Sequence, residues 1–286
     1  MKKYFALCLA IGMGILSSCH SSTPLNLKVM TFNIRMDTPV DGDYSWEHRK
    51  ECAGQMVKEQ NCDLIGTQEV LHHQLIDLQT ALPQYAVVGV GREDGKTQGE
   101  YSAIFYKKDR FDELDAGTFW LSETPEMAGS KGWDGACERV ASWALLKEKK
   151  TNQKVFFINT HLDHIGVTAR REGVNLLLDR AFTLAQGSPI VVTGDFNAEP
   201  TSDVIQNVVN TAQKNHLLNS QEVAEVKKGT NWTFHNYDRL PIEQREYIDY
   251  IFVSSPATVK SYEVLPMKYN NQFVSDHSPV VSEIIF

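Results

Sequence analysis

The chain has 286 residues, 42% hydrophobic and 22% charged, with 28 Lys and Arg against 36 Asp and Glu for a net charge of −8. This composition excludes a collagen, a disordered polymer and a multi-span membrane protein. The acidic balance also disfavours a protein that grips nucleic acid through many phosphate contacts, which calls for a basic surplus.

The first predicted element is a targeting segment. Lys2 and Lys3 precede an apolar run over 5–16, shorter than the roughly 20 residues that span a bilayer but right for a signal-peptide core. Its end, Leu16-Ser17-Ser18-Cys19, resembles the lipobox of bacterial lipoproteins, in which cleavage exposes the cysteine for lipid attachment. Residues 1–18 are therefore expected to be removed. Residues 19–26 then form a lipidated tether that holds a cell-envelope protein to a membrane, on the periplasmic or the surface side. Loss of Lys2 and Lys3 leaves 26 basic against 36 acidic residues, a balance of −10.

Beyond the tether, runs rich in Val, Ile, Phe and Tyr predict strands at 27–34, 63–69, 85–90, 102–106, 118–121, 140–146, 155–162, 190–196, 247–253, 259–265 and 280–285. Helical patterns fall at 46–59, 72–82, 168–185 and 203–212. In the third, Val174, Leu177, Leu178, Ala181 and Ala185 share a face, and Gly187 and Pro189 end it. The run Lys147-Glu148-Lys149-Lys150 reads as a solvated hairpin tip. Strand and helix alternate at both ends of the chain, whereas 85–162 is mostly strand after strand. Two mixed β-sheets packed face to face, with helices on the outer faces, satisfy both halves; the expected class is a four-layer α/β sandwich. No linker or repeat divides 27–286, so one domain is expected, and a monomer. Cys52, Cys62 and Cys137 remain after processing. They form no C-x-x-C pair; buried thiols are preferred, with a Cys52–Cys62 disulfide left open.

The informative pattern lies where apolar strands stop. Phe32-Asn33, Gln68-Glu69, Thr160-His161, Gly194-Asp195-Phe196-Asn197, Ile248-Asp249 and Ser275-Asp276-His277 each end or flank a strand with an acid, amide or imidazole. Clustered carboxylates are costly to bury without a cation or mutual hydrogen bonds. A set of carboxylates and amides without thiolate suits Mg²⁺, Mn²⁺ or Ca²⁺ better than Zn²⁺.

Five of these segments, Thr31-Phe32-Asn33-Ile34-Arg35, Gln68-Glu69-Val70, Thr160-His161-Leu162, Gly194-Asp195-Phe196-Asn197 and Ser275-Asp276-His277-Ser278-Pro279, resemble the ordered motifs of the endonuclease/exonuclease/phosphatase superfamily, whose fold is that of deoxyribonuclease I. The resemblance implies a phosphoric ester hydrolase dependent on Mg²⁺ or Mn²⁺. It implies Glu69 as principal metal ligand, Asn33 in support and Asp276 near the metal. It makes Asp195 the group that orients or deprotonates the attacking water, with Asn197 beside it. His161 and His277 would hydrogen-bond the phosphoryl oxygens, and Asp249 would orient His277. Arg35, Arg139, Asp163, His164 and Arg170 are further candidates for holding substrate, Arg139 and Arg170 as bidentate phosphate clamps. Trp46, Trp120, Trp133 and Trp143 read as core residues rather than a stacking wall.

The expected function is an extracytoplasmic phosphoesterase acting on a phosphomonoester or phosphodiester, a small molecule or head group. A nuclease of the same fold is the alternative, disfavoured because no basic track is visible. A binding module that had lost catalysis would be expected to lack some of Glu69, Asp195, Asn197, Asp276 and His277, and all are present. A two-carboxylate glycosidase leaves the histidines unexplained. Loops 36–46, 92–101, 122–138 and 229–246 are expected to set the substrate.

Overall fold

The computed structural model describes residues 23–286; the expected signal segment, Cys19 and the start of the expected tether lie outside the described residues. In chain order the strands are β1 (Asn26–Asn33), β2 (Leu64–Val70), β3 (Tyr85–Val88), β4 (Tyr101–Lys107), β5 (Phe111–Trp120), β6 (Val140–Glu148), β7 (Lys154–His161), β8 (Ile190–Asp195), β9 (Leu218–Asn219), β10 (Val226–Lys228), β11 (Asp249–Val253), β12 (Thr258–Val264), β13 (Lys268–Tyr269), β14 (Gln272–Phe273) and β15 (Val280–Ile285). The α-helices are α1 (Trp46–Gln60), α2 (His72–Ala81), α3 (Val167–Leu184), α4 (Asp203–Val209) and the single turn α5 (Ser220–Val223). None of these helices is long and apolar enough to cross a membrane.

Two mixed sheets form the body. One has the order β10-β12-β15-β1-β2-β4-β3 and the other β5-β6-β7-β8-β11-β9. The parallel pairs β1/β2 and β7/β8 are each joined through a helix, α1 and α3, as parallel neighbours require. Two apolar clusters follow. Met30, Phe32, Ile65 and Phe105 of the first sheet pack against Met56 and Val57 of α1 and Leu75 and Leu78 of α2. The larger cluster joins Val29, Leu64 and Ile104 to Phe157 and Val191, and reaches Val174, Leu177 and Ala181 of α3 and Val204 and Val208 of α4. The result is the expected α/β sandwich of two large mixed sheets with helices.

Side chains alternate across a strand, so the face turned into the gap between the sheets reads Val29, Thr31, Asn33 in β1, Leu64, Gly66, Gln68 in β2, Phe157, Asn159, His161 in β7 and Val191, Thr193, Asp195 in β8. On each strand this face passes from apolar to polar toward one end. Midway, Gln68 Nε2 donates to Asn159 Oδ1 (2.7 Å), Thr193 Oγ1 donates to the same oxygen (3.0 Å), and Asn159 Nδ2 donates to the carbonyls of Thr67 and Ala103. These bonds tie the two sheets beneath the site. A side chain on Gly66 would overlap Thr193 and Asn159, which explains the glycine there.

Several expectations need adjustment. β5 begins at Phe111, seven residues before the predicted run, because Asp112, Glu113 and Asp115 lie on an edge strand where charge is tolerated. The turn after β6 is not merely solvated: Glu148 is buried, and its carboxylate accepts from the backbone of Lys150 and Thr151 and from the Thr151 hydroxyl. Cys52 and Cys62 are free buried thiols.

Candidate active site

At the polar end of the sheets lies a cavity of about 490 Å³ whose lining includes Arg35, Glu69, Arg92, Glu100, Arg139, His161, His164, Asp195, Asn197, Asp276 and His277. Backbone irregularities aim several of them. The β2–β4 register shifts between Thr67 and Val70, and Glu69 adopts φ +60°, so the bulge turns its carboxylate into the cavity although it neighbours the inward-facing Gln68. Arg35 and Asn197 also take positive φ, 60° and 47°. Such a concentration of strained residues in one place is characteristic of functional sites.

Asn33 sits beneath the cavity. Its Nδ2 donates to Glu69 Oε1 (3.0 Å) and to Asp195 Oδ2 (2.9 Å), while its Oδ1 accepts from the Arg35 backbone (3.0 Å). Asn33 thus holds the Glu69 and Asp195 carboxylates together while its own oxygen faces the Arg35 backbone. Asp195, 2% exposed, is the hub. Its Oδ1 accepts from the Asn197 backbone (2.9 Å), and its Oδ2 lies 3.6 Å from His161 Nε2 and 3.8 Å from His277 Nε2. Burial and the Asp249 charge push the Asp195 carboxyl well above the usual range, against the opposing pull of His277.

His277 Nδ1 lies 2.8 Å from Asp249 Oδ2, leaving Nε2 toward the cavity. Burial alone would lower its pKa, but the carboxylates of Asp249, Asp276 and Asp195 outweigh it and raise the imidazole to about 10. His161 is the opposite case. Burial and the nearby charges of Arg139 and Arg92 hold it well below its ordinary value, so it is neutral. Its tautomer follows from Asn197, whose Nδ2 donates to the Leu162 carbonyl (3.0 Å) and faces His161 Nε2 (3.0 Å). Nε2 must accept, and Nδ1 carries the hydrogen; that Nδ1 has no protein partner.

Glu69, Asp195 and His277 each bring one potential ligand atom within 4.8 Å of the others. Asp276 lies beside them, 3.7 Å from Arg35 Nε. Arg35 forks onto Asp41 through Nε and Nη2, both at 3.1 Å, and reaches Glu69 at 3.7 Å. It therefore braces the acids. Arg49, 1% exposed, donates to the carbonyls of Ile34 and Val274 and so clamps the two segments that carry Arg35 and Asp276.

Of the further candidates, Arg139 and His164 line the cavity, with Arg139 Nη2 2.9 Å from His164 Nδ1. Asp163 and Arg170 do not. Asp163 is 1% exposed and accepts from the backbones of Ala136, Cys137, Ile165 and Gly166, and Arg170 Nη1 donates to the Asp163 carbonyl. Asp163 ties residues 136–137 to the segment entering α3 and Arg170 ties α3 back to Asp163, correcting the substrate-facing role expected of them. Trp46 and Trp120 are buried, and none of the four tryptophans lines the cavity. Sequence reasoning missed Arg92, Glu100 and Arg49; for Arg92 and Glu100 the signal was that 92–101 is one of the loops expected to set the substrate, and Arg49, in α1, gave none.

Comparison with known proteins agrees with this fold. An endonuclease/exonuclease/phosphatase from Bacteroides vulgatus shares 40% identity at a TM-score of 0.87, covering 91% of this chain and 98% of its own. A mannosyl-6-phosphatase of Bacteroides thetaiotaomicron VPI-5482 shares 39% identity at a TM-score of 0.84, covering 91% of this chain and all of its own. The CCR4-Not complex 3'-5'-exoribonuclease subunit Ccr4 of Kluyveromyces lactis is 25% identical over 293 residues, covering 83% of this chain and 37% of its own length. The chain spans well under half the length of the curated relatives it matches. The sequence profile of the Endonuclease/Exonuclease/phosphatase family matches residues 30–277, from the first strand to the last histidine, and the chain belongs to that family.

Proposed function

We propose that this chain is a Mg²⁺- or Mn²⁺-dependent phosphomonoesterase that acts on small phosphate esters outside the cytoplasm. One observation carries the reading: the acids, imidazoles and guanidiniums converge in a single cavity of about 490 Å³, the scale of one small ligand. The similarity to a mannosyl-6-phosphatase supports a sugar phosphate as the substrate class. The nuclease reading draws support from the exoribonuclease relative but needs a cationic track, and the chain is acidic.

The donor set fits a hard divalent cation, since Glu69, Asp195 and Asp276 are three carboxylates converging on one cavity, and oxygen ligands suit such an ion. Glu69 and Asp276 are the residues that would hold it. When bound, such an ion polarises the phosphoryl group and offsets its charge. Asp195, held by Asn33 and the Asn197 backbone, orients the attacking water and takes its proton. The Nε2–H of His277, fixed by Asp249, and the Nδ1–H of His161 donate to phosphoryl oxygens as charge grows in the transition state. Water adds to phosphorus, the bond from phosphorus to the ester oxygen breaks, and the departing alcohol gains a proton.

The test is phosphate release by the purified protein with Mg²⁺ or Mn²⁺ across sugar phosphates, aryl phosphate, inositol phosphates, phosphodiester lipids and RNA. Release from monoesters is expected; activity confined to RNA would overturn the reading. Glu69→Gln should abolish release and weaken Mg²⁺ and Mn²⁺ binding by calorimetry, and unchanged affinity would remove Glu69 from the metal site.

A further inference from the structure

Arg92, Glu100 and Arg139 line the catalytic cavity but take no part in the hydrolytic step described above. Arg92 Nη1 donates to Glu100 Oε2 at 2.8 Å, and both side chains are nearly buried, 12% and 13% exposed. The same Glu100 oxygen lies 3.8 Å from His161 Nδ1. Arg139 is 5% exposed, and its Nε and Nη1 have no hydrogen-bond partner; Arg92 Nε has none either. A buried donor without a partner is costly, so Arg92 Nε and Arg139 Nη1 point to a partner that the chain itself does not supply.

The segment bearing Arg92 and Glu100 is held rigidly. Arg92 N donates to the Glu100 carbonyl, Glu93 N to that of Gln98 and Gly91 N to that of Lys96, each at 3.1 Å. Trp120 Nε1 donates to the Arg92 carbonyl and the Tyr101 hydroxyl to that of Lys96. Folding has therefore already met the entropic cost of placing this pair.

Charge narrows the ligand. Arg92 is matched by Glu100, Arg139 Nε stands 3.5 Å from Asp163 Oδ2, and His161 is neutral. This wall presents donors and an acceptor carboxylate without a cationic surplus. A second phosphate or a polyanionic chain would meet Glu100 unfavourably. A hydroxyl, which accepts from a guanidinium and donates to a carboxylate, is matched on both counts.

We propose that Arg92, Glu100 and Arg139 form the leaving-group subsite and that it selects a polyol, of the hexose kind, as the alcohol esterified to phosphate. The proposal rests on the phosphomonoesterase reading and names which esters that site prefers. These three are specificity residues that touch the alcohol, while the phosphoryl group is handled by Asp195, His161 and His277.

The test compares kcat/KM for mannose 6-phosphate and for phenyl phosphate, which lacks hydroxyls, in wild type, Glu100→Gln, Arg139→Gln and Arg139→Lys, with circular dichroism as the fold check. Wild type is expected to prefer the sugar phosphate, and Glu100→Gln to lower that preference about 30-fold, chiefly through KM for the sugar ester. Arg139→Lys should retain more of the preference than Arg139→Gln. If Glu100→Gln does not fold, the Arg139 pair decides. A preference unchanged in the folded variants, or a wild type that favours phenyl phosphate, would overturn the subsite while leaving the hydrolytic reading standing. A wild type that hydrolyses no monoester would overturn both.

Discussion

Asp249 is 1% exposed and has one oxygen on His277 Nδ1, while its other oxygen has no partner. Its effect is to keep the histidine charged and aimed, so Asp249→Asn should lower kcat on order of 10²-fold with little change in metal affinity. Single-turnover kinetics beside calorimetry checks this, and an equal loss in metal binding would give Asp249 a different role. Asp163 is a carboxylate of another sort. Burial by itself would raise its pKa, but four backbone N–H groups outweigh that and hold it far below the ordinary value. A depressed carboxyl contributes stability above its unfolded pKa, about 3.9, and loses it as pH falls through the folded value. Wild type should therefore exceed Asp163→Asn in unfolding free energy at pH 7, and chemical denaturation should show the gap closing below about pH 4. The two acids look alike in sequence, each at or near one end of an apolar strand. What separates them is whether the chain bends the carboxylate toward an imidazole or toward backbone amides, and that depends on loops distant in sequence. Arg92 and Glu100 escaped notice for a related reason: polar residues in a loop read as solvated until the loop is seen to fold over the cavity.

Strands β1, β2, β7 and β8 were legible because each is a long apolar run that ends in a polar group, and the alternation of side chains carries the site residues to one face. Edge strand β5 was half concealed by its exposed acids, and the two- and three-residue strands β9, β10, β13 and β14 have no periodicity to read. Gly66 was unreadable as well, because its partner strands lie about 90 to 130 residues further along the chain. Adding a Cβ there would collide with Thr193 and Asn159, and Asn159 Oδ1 accepts from both Thr193 and Gln68 immediately beneath the site. Gly66→Ala should cost about 3 kcal/mol through overpacking between the sheets. Thermal unfolding measures it. A melting point within 1 °C or so of wild type, against the roughly 2–4 °C per kcal/mol that a domain of this size gives, would mean that the gap is looser than these contacts require.

At the scale of the molecule, the site residues end or flank strands from both sheets, and the two ends of the described residues meet at the other extremity. Leu25 and Phe286 exchange backbone hydrogen bonds of 3.0 Å in both directions, and β1 runs from there to Asn33 under the cavity. On the lipoprotein proposal, the wild-type protein should sediment with membranes and Cys19→Ser should release it or leave it unprocessed, read by fractionation and lipid-precursor labelling; a wild type that takes up no label would sink that proposal alone. The place of Leu25 then sets which end of the molecule such an anchor would hold. An anchor at Cys19 would seize the molecule by its base, six residues from Leu25, and the length of β1, about 25 Å, would lie between that base and the catalytic mouth. Tethered in this way, the enzyme would stand with its opening turned outward, toward solutes arriving from the surrounding fluid and away from the lipids that hold it.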